Sequence, residues 1–458
     1  MSRQYQVINV GQALRRISRI NHQGGTYAGA GKTIVEVLRG RAKAAILETE
    51  YVDRDYSAAY AALYGRSFRP PSRSTERIHF FDRSTTLDEL KGDRRVIGYL
   101  GFVVIWPTNP QVIGRSVLVP PVRRGDRLIP LTTTVHLAGH ELLVRGVPYA
   151  TKDFGVSACA TVATWLATEI MSQQFGLPRT SSSEVTLSAT RHSHTFGRSL
   201  PQHYGLSVGE MSHALAEVGY SPFVYDLDNF HWRAAGTVYG YVESGIPAIL
   251  QCEMQDGSFH ALLAVGVEFD SGRIPTAGSF RDGVRALIVH DDRSGPYGRL
   301  TIVQEPAKSV AGRMYCDLTF EGTTQPERVA VLAILVPLPN GVHTISTRAH
   351  VKGRDWLALA YKSETGIGLP GQSLAFRTRL WDSVGLKRAS FSWQQQGAAA
   401  DLRETALPHW VWVTEAYEGT SFLEPQGRYV SDASMLSGDA KGRRLWGHIE
   451  SRVFLARP

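Results

Sequence analysis

Between Gly245 and Asp292 three apolar runs alternate with polar turns, and this stretch restricts the chain to folds that contain an antiparallel sheet. Gly245-Ile246-Pro247-Ala248-Ile249-Leu250-Gln251-Cys252 and Ser258-Phe259-His260-Ala261-Leu262-Leu263-Ala264-Val265-Gly266-Val267 predict two strands joined by a turn at Gln255-Asp256-Gly257. A third strand, Arg285 to His290, ends at Asp291-Asp292, and Gly295-Pro296-Tyr297-Gly298 turns the chain back. His260 opens the second strand and Asp291 closes the third, so neighbouring strands can bring the two side chains together. Taken singly, the histidine reads as a core residue and the aspartate as a turn residue.

Upstream, Val162, Leu166 and Ile170 recur at four-residue spacing beside Ala163 and Ala167, which predicts one apolar face of a helix from about Ala158 to Phe175. Ser157 is a suitable N-cap, Gly176 a left-handed stop, and Pro178 prevents continuation. Cys159 then falls in the first turn. There the free backbone N–H groups and the positive end of the helix dipole favour a thiolate. The competing reading is a small core residue, since free cysteine is often buried.

Length and composition bound the rest. The chain's 458 residues allow two or three domains, and 43% hydrophobic with 20% charged residues is the make-up of a globular protein. The excess of 50 Lys+Arg over 42 Asp+Glu, a net charge of +8, is scattered in clusters such as Arg123 to Arg127, so no specific nucleic-acid groove is expected. The start Met1-Ser-Arg-Gln-Tyr-Gln lacks a signal-peptide core, and the longest apolar run, Val329 to Leu338, is too short to span a bilayer. Three scattered cysteines form neither a disulfide framework nor a metal-ligand pair. A cytoplasmic protein without membrane contact, metal or cofactor is expected.

The remaining segments read as follows. Val7 to Ile20 is a short basic amphipathic helix and Thr33 to Arg41 another; Ile78 to Phe81 and Gly98 to Trp106 are strands, the second buried on both faces. Gly29-Ala30-Gly31-Lys32-Thr33 imitates the end of a phosphate-binding loop, but Thr26 stands where the first glycine belongs and no hydrophobic strand precedes it, so a flexible loop before a helix is expected. His136, His140 and Glu141 lie in strand-like sequence, where the helical zinc motif cannot form. Thr180 to Thr190 is a Ser/Thr-rich loop, followed by His192 and His194 without ligand partners. Ser207-Val208-Gly209-Glu210 is a capping box for a helix ended by Gly219. Beyond Pro339-Asn340-Gly341 a helix at Asp355 to Tyr361, a strand at Trp410 to Val413 and a strand-like end at Leu445 to Leu455 are expected, with the region's tryptophans as core.

In its order of parts the sequence resembles the papain-like cysteine peptidase superfamily, in particular the branch of bacteriocin-leader (double-glycine) peptidases. The shared features are a cysteine at a helix start, a capped second helix, a Gly-x-Pro strand, a histidine leading an apolar strand, and an aspartate at the next strand's end. They span roughly Tyr149 to Leu338. The resemblance implies an α+β fold: a papain-like central domain, over 131–339, in which a helix bearing Cys159 packs on an antiparallel sheet bearing His260 and Asp291. Mixed α/β regions would flank it at 1–130 and 340–458. It further implies that Cys159 attacks a carbonyl carbon, that His260 returns the proton to the leaving amine, and that Asp291, or Asp292 if the strand ends one residue later, orients the imidazole.

One departure stands out. The family carries a glutamine six residues before the cysteine as an oxyanion donor; this chain has Asp153 there and Lys152 beside it. An aspartate would repel the developing charge, which leaves Lys152 and the Cys159 N–H as candidate donors. The expected function is therefore a cysteine hydrolase of amide, peptide or isopeptide bonds with a protein or peptide substrate, by analogy a regulated bacterial enzyme. A deamidase or acyl transferase on the same triad, and an inactive papain-like module that binds peptide, are the alternatives.

Overall fold

A computed structural model describes residues 4–20, 29–86, 89, 97–153, 158–191, 205–229, 233–270, 278–305, 312–365, 374–418, 424–434, 444–449 and 452–455. It is a mixed α+β protein whose sheets are almost wholly antiparallel. The first sheet runs β1 (Tyr5–Ile8), β2 (Ala44–Tyr51), β3 (Thr75–Phe81), β4 (Tyr99–Trp106) and β5 (Val112–Ile113), with β6 (Val117–Leu118) also on β4. One face is covered by α1 (Val10–Ser18) and α2 (Ala30–Leu38), the other by α3 (Arg54–Ala62), so β4 is buried on both sides, as its unbroken apolar run predicts.

The helix expected over Val7 to Ile20 begins later, because Tyr5–Ile8 pairs with β2 and Asn9 caps α1 by accepting the Gln12 N–H at 3.3 Å. Gly29 to Thr33 is not a flexible loop: α2 already starts at Ala30. Gly31 sits where the two helices touch, and a Cβ there would lie 2.1 Å from the Ile17 carbonyl oxygen. Gly31→Ala is accordingly expected to destabilise the protein by about 1–3 kcal/mol through overpacking against backbone. Lys32→Ala, at an exposed position, should stay within about 0.5 kcal/mol of wild type, both read by thermal unfolding.

The next strands are β7 (Asp126–Leu128), β8 (Thr132–Leu137) and β9 (His140–Arg145), the last two a hairpin turning at Ala138 and Gly139, both at positive φ. His136 and His140 are therefore strand residues. The helix α4 (Cys159–Phe175) follows and stops at Gly176 with φ 68°. Its cap position is Ala158, with no side-chain bond, whereas Ser157, the expected cap, lies outside the described residues. It is no one-sided helix either: Ala160 to Met171 are all buried. The Ser/Thr-rich stretch is a helix too, α5 (Ser182–Thr190), because Ser181 and Glu184 form a reciprocal capping box that outweighs weak propensity. His192 and His194 lie outside the described residues. α6 (Val208–Val218) carries the expected capping box and glycine stop.

Strands β10 (Ser221–Asp226), β11 (Ala248–Met254), β12 (Phe259–Phe269), β14 (Val284–Asp291), β15 (Gly295–Gln304), β16 (Met314–Thr319) and β17 (Glu327–Leu338) form the second sheet; α7 (Ala234–Val242) and the two-residue β13 (Gly278–Ser279) fall between them in sequence. The order is β10-β17-β11-β12-β14-β15-β16 with β7 on β12, and β16 pairs back onto β17, so six of these strands close into a ring. The third sheet runs β13, β18 (Leu374–Asp382), β19 (Trp410–Glu418), β20 (Gly427–Asp432), β21 (Arg444–Ile449) and β22 (Arg452–Leu455). Against it lie α8 (Ser346–Thr365), longer than the helix expected at Asp355 to Tyr361, α9 (Ser383–Ala389) and α10 (Gln396–Glu404). Trp410 and Trp412 join the core that also holds α4, and Trp393 and Trp446 are buried together, so these tryptophans are core as expected. Among the described residues no helix is long and apolar enough to cross a membrane.

Candidate active site

Cys159 is the first residue of α4 and is half-buried. The helix start gives it the unspent N–H groups and the positive dipole end that its sequence position predicts. His260 is the second residue of β12 and Asp291 the last of β14, and the antiparallel pairing of these two strands sets the side chains together. The His260 Nε2–H donates to Asp291 Oδ1 at 2.7 Å, and Cys159 is close enough to the same imidazole to help favour its protonated form. With Nε2 committed to the carboxylate, Nδ1 is the nitrogen left to face sulfur.

The acid is fixed by more than the histidine. Asp291 is fully buried, its Oδ1 also accepts the Arg293 N–H at 2.9 Å, and its backbone carbonyl accepts the Tyr149 hydroxyl at 3.0 Å. Burial raises the Asp291 carboxyl, but the charge and hydrogen bond of His260, with Arg293, outweigh it and hold the group well below the usual carboxylate range. Burial likewise opposes the His260 imidazolium, yet Asp291 and then Cys159 more than compensate, and its pKa lies well above that of a free histidine. The geometry distinguishes the two adjacent acids. Asp292 Oδ1 stands 3.6 Å from Nε2, beyond hydrogen-bonding distance, and neither Asp292 oxygen has a hydrogen-bond partner among the described residues. Its pKa is raised by burial, with the Asp291 charge adding to this and His260, Lys152 and Arg293 only partly opposing it.

Lys152 thus acts electrostatically on the cluster. Asp153 is buried and accepts the Tyr64 hydroxyl from the segment after α3.

A narrow cleft between α4 and the second sheet is lined by Cys159, Tyr149, Leu166, Leu263, His290 and Asp292. His290 was not singled out by sequence. Burial drives its pKa down to about 3, despite the bond in which its Nδ1–H donates to the Pro148 carbonyl at 3.2 Å, so it is a neutral imidazole at the cleft wall. Tyr149 and Arg293 were missed as well, although an amide two residues beyond an aspartate is the common partner of its carboxylate. The other two cysteines are fully buried, and burial pushes both thiols up. His260, Asp291 and Asp292 are also the one group of ligating side chains that lies within 4.8 Å among the described residues. The inward Asp291 oxygen and the His260 Nε2 are spent on each other, and no ion is assigned. No protein family, curated protein or solved structure matches the chain.

Proposed function

We propose that the chain is a cysteine-nucleophile hydrolase of amide, peptide or isopeptide bonds, with a papain-like arrangement of helix and sheet around the Cys159-His260-Asp291 triad. The observation that carries this reading is the single imidazole that bonds the buried Asp291 carboxylate and whose protonated form the neighbouring Cys159, at the start of α4, also favours. In the reaction Cys159 sulfur attacks the carbonyl carbon, and the tetrahedral oxyanion is met by the Cys159 N–H and Lys152. Collapse breaks the C–N bond as the His260 imidazolium gives its proton to the leaving amine. Water, deprotonated by His260, then cleaves the thioester and restores the thiol. Deamidation or acyl transfer would use the same steps with ammonia as leaving group or an amine in place of water. Cys159, Cys252 and Cys316 are free thiols, which supports a reducing, cytoplasmic setting.

The test is alkylation of each cysteine by iodoacetamide between pH 5 and 9, followed by mass spectrometry. The expected result is rapid modification of Cys159 alone, already at pH 6, with Cys252 and Cys316 protected by burial. Slow modification of Cys159 that rises only in the alkaline range would favour the peptide-binding module, for which the commitment of Asp153 to Tyr64 is the supporting observation.

A further inference from the structure

The stretch Gly29-Ala30-Gly31-Lys32-Thr33 plays no part in the thiol chemistry, yet the fold lays it directly against the turn that follows the acid. The Ala30 N–H, one of the orphan donors at the start of α2, donates to the Arg293 carbonyl at 3.1 Å. One turn along the helix the Thr33 hydroxyl donates to the Ser294 carbonyl at 2.6 Å, in a fully buried contact across 261 residues of sequence. Gly295, at φ 132°, completes the fit, since a Cβ there would come within 2.5 Å of the Thr33 side chain. The other side of the same turn faces the site. The Arg293 N–H holds Asp291 Oδ1, and the Arg293 guanidinium pairs with Glu327 on β17 at 2.9 Å.

The amides and carbonyls of one short turn are thus divided between two neighbours. Inward, they hold the carboxylate that orients His260; outward, they are held by α2. The amide that would cradle a phosphate in a true phosphate-binding loop is already spent on Arg293, and Gly31 serves the approach of α2 to α1.

We propose that α2 is a clasp for the acid turn: Ala30 and Thr33 fix residues 293 and 294 so that Asp291 stays in register with His260, with Thr33 as a positioning residue. The N-terminal region then belongs to the working site and is not an appended module. This rests on the reading of His260 and Asp291 as base and acid of the thiol site.

The test uses the full chain with Thr33→Val, which keeps the shape and loses the donor, and Thr33→Ser, which keeps the donor. The His260 titration is followed by NMR on histidine labelled at Cε1, its resonance assigned by its loss in His260→Gln, and Cys159 alkylation is measured in parallel. In Thr33→Val the His260 midpoint is expected to move to lower pH, and alkylation at pH 6 to slow on the order of tenfold, as for a group whose ion-pair partner is less well held. Thr33→Ser should return both to wild type. A purely structural hydroxyl would lower thermal stability and leave the His260 midpoint unmoved, and that result overturns the clasp. If wild-type Cys159 shows no reactivity at pH 6, the hydrolase reading fails, while the His260 midpoint still decides for or against the clasp. Should Thr33→Val not fold, Thr33→Ala, which vacates space without filling it, carries the same readouts.

Discussion

In His260→Ala, alkylation of Cys159 at pH 6 is expected to fall by about a hundredfold or more, because a cysteine without a cationic partner titrates near about 8.5 and is less than about 1% thiolate at that pH. The same substitution strips a buried carboxylate of its counter-charge, for which the cost is about 3–5 kcal/mol, with the Arg293 N–H left as a partial partner for Asp291. The pH dependence of that cost has a definite sign. The folded-state pKa of His260 is raised, so its contribution is complete below the unfolded value of about 6.5 and is lost as pH rises through the folded value. The folded-state pKa of Asp291 is depressed, so its contribution is present above about 3.9 and is lost as pH falls through the folded value. The gap in melting temperature between wild type and variant should therefore be widest near pH 5 to 6 and narrow toward alkaline pH. A variant that alkylates at pH 6 as fast as wild type would remove His260 from the site, whatever its stability.

The order Cys159, His260, Asp291 was legible because each residue sits at a boundary that sequence marks well. Gly176 and Pro178 end the cysteine helix, Asp256-Gly257 precedes the histidine strand, and Gly295-Pro296 follows the acid. The choice between Asp291 and Asp292 was not legible. The strand end is uncertain by one residue, and the β14–β15 pairing carries an irregularity between Val289 and Asp291 that no local pattern announces. α5 was hidden by its composition, since serine and threonine in a row read as loop until the burial of Ser182, Ser183 and Thr186 is known. The bonds of Tyr64 to Asp153 and of Thr33 to Ser294 join residues far apart in sequence, where neither spacing nor periodicity speaks. That is why the phosphate-loop likeness could be doubted from sequence but not replaced by another role.

The second large effect concerns how the cysteine helix is held. Asp55 on α3, Arg115 between β5 and β6, Glu169 on α4 and Arg179 just beyond it form a largely buried set of two acids and two bases, with the buried Asp53 carboxyl close enough to act on Asp55 and Arg115. Arg179 reaches Asp55 at 2.5 Å and Glu169 at 2.6 Å, while Arg115 reaches the same two acids at 3.3 and 3.4 Å. Burial raises the Asp55 carboxyl even with Arg179 and Arg115 beside it, a sign that desolvation is not fully repaid. Desolvation offsets much of the network's attraction, so it adds little stability over an apolar replacement, but removing one member is another matter. Asp55→Ala leaves two guanidinium groups facing one carboxylate in a buried setting, at an expected cost of about 3–5 kcal/mol. Asp55→Ala combined with Arg179→Met restores charge balance and should recover a substantial part of the loss, so the two changes are strongly non-additive in thermal unfolding. Because the groups are buried, the effect should persist in molar salt, where a surface ion pair would be screened. Additive losses, or a loss abolished by salt, would show that the four groups do not act as one. Coupling of the expected size would mean that α3 anchors α4 through charge, as α2 holds the acid turn through hydrogen bonds. The N-terminal region would then grip both the helix that carries Cys159 and the strand end that carries Asp291.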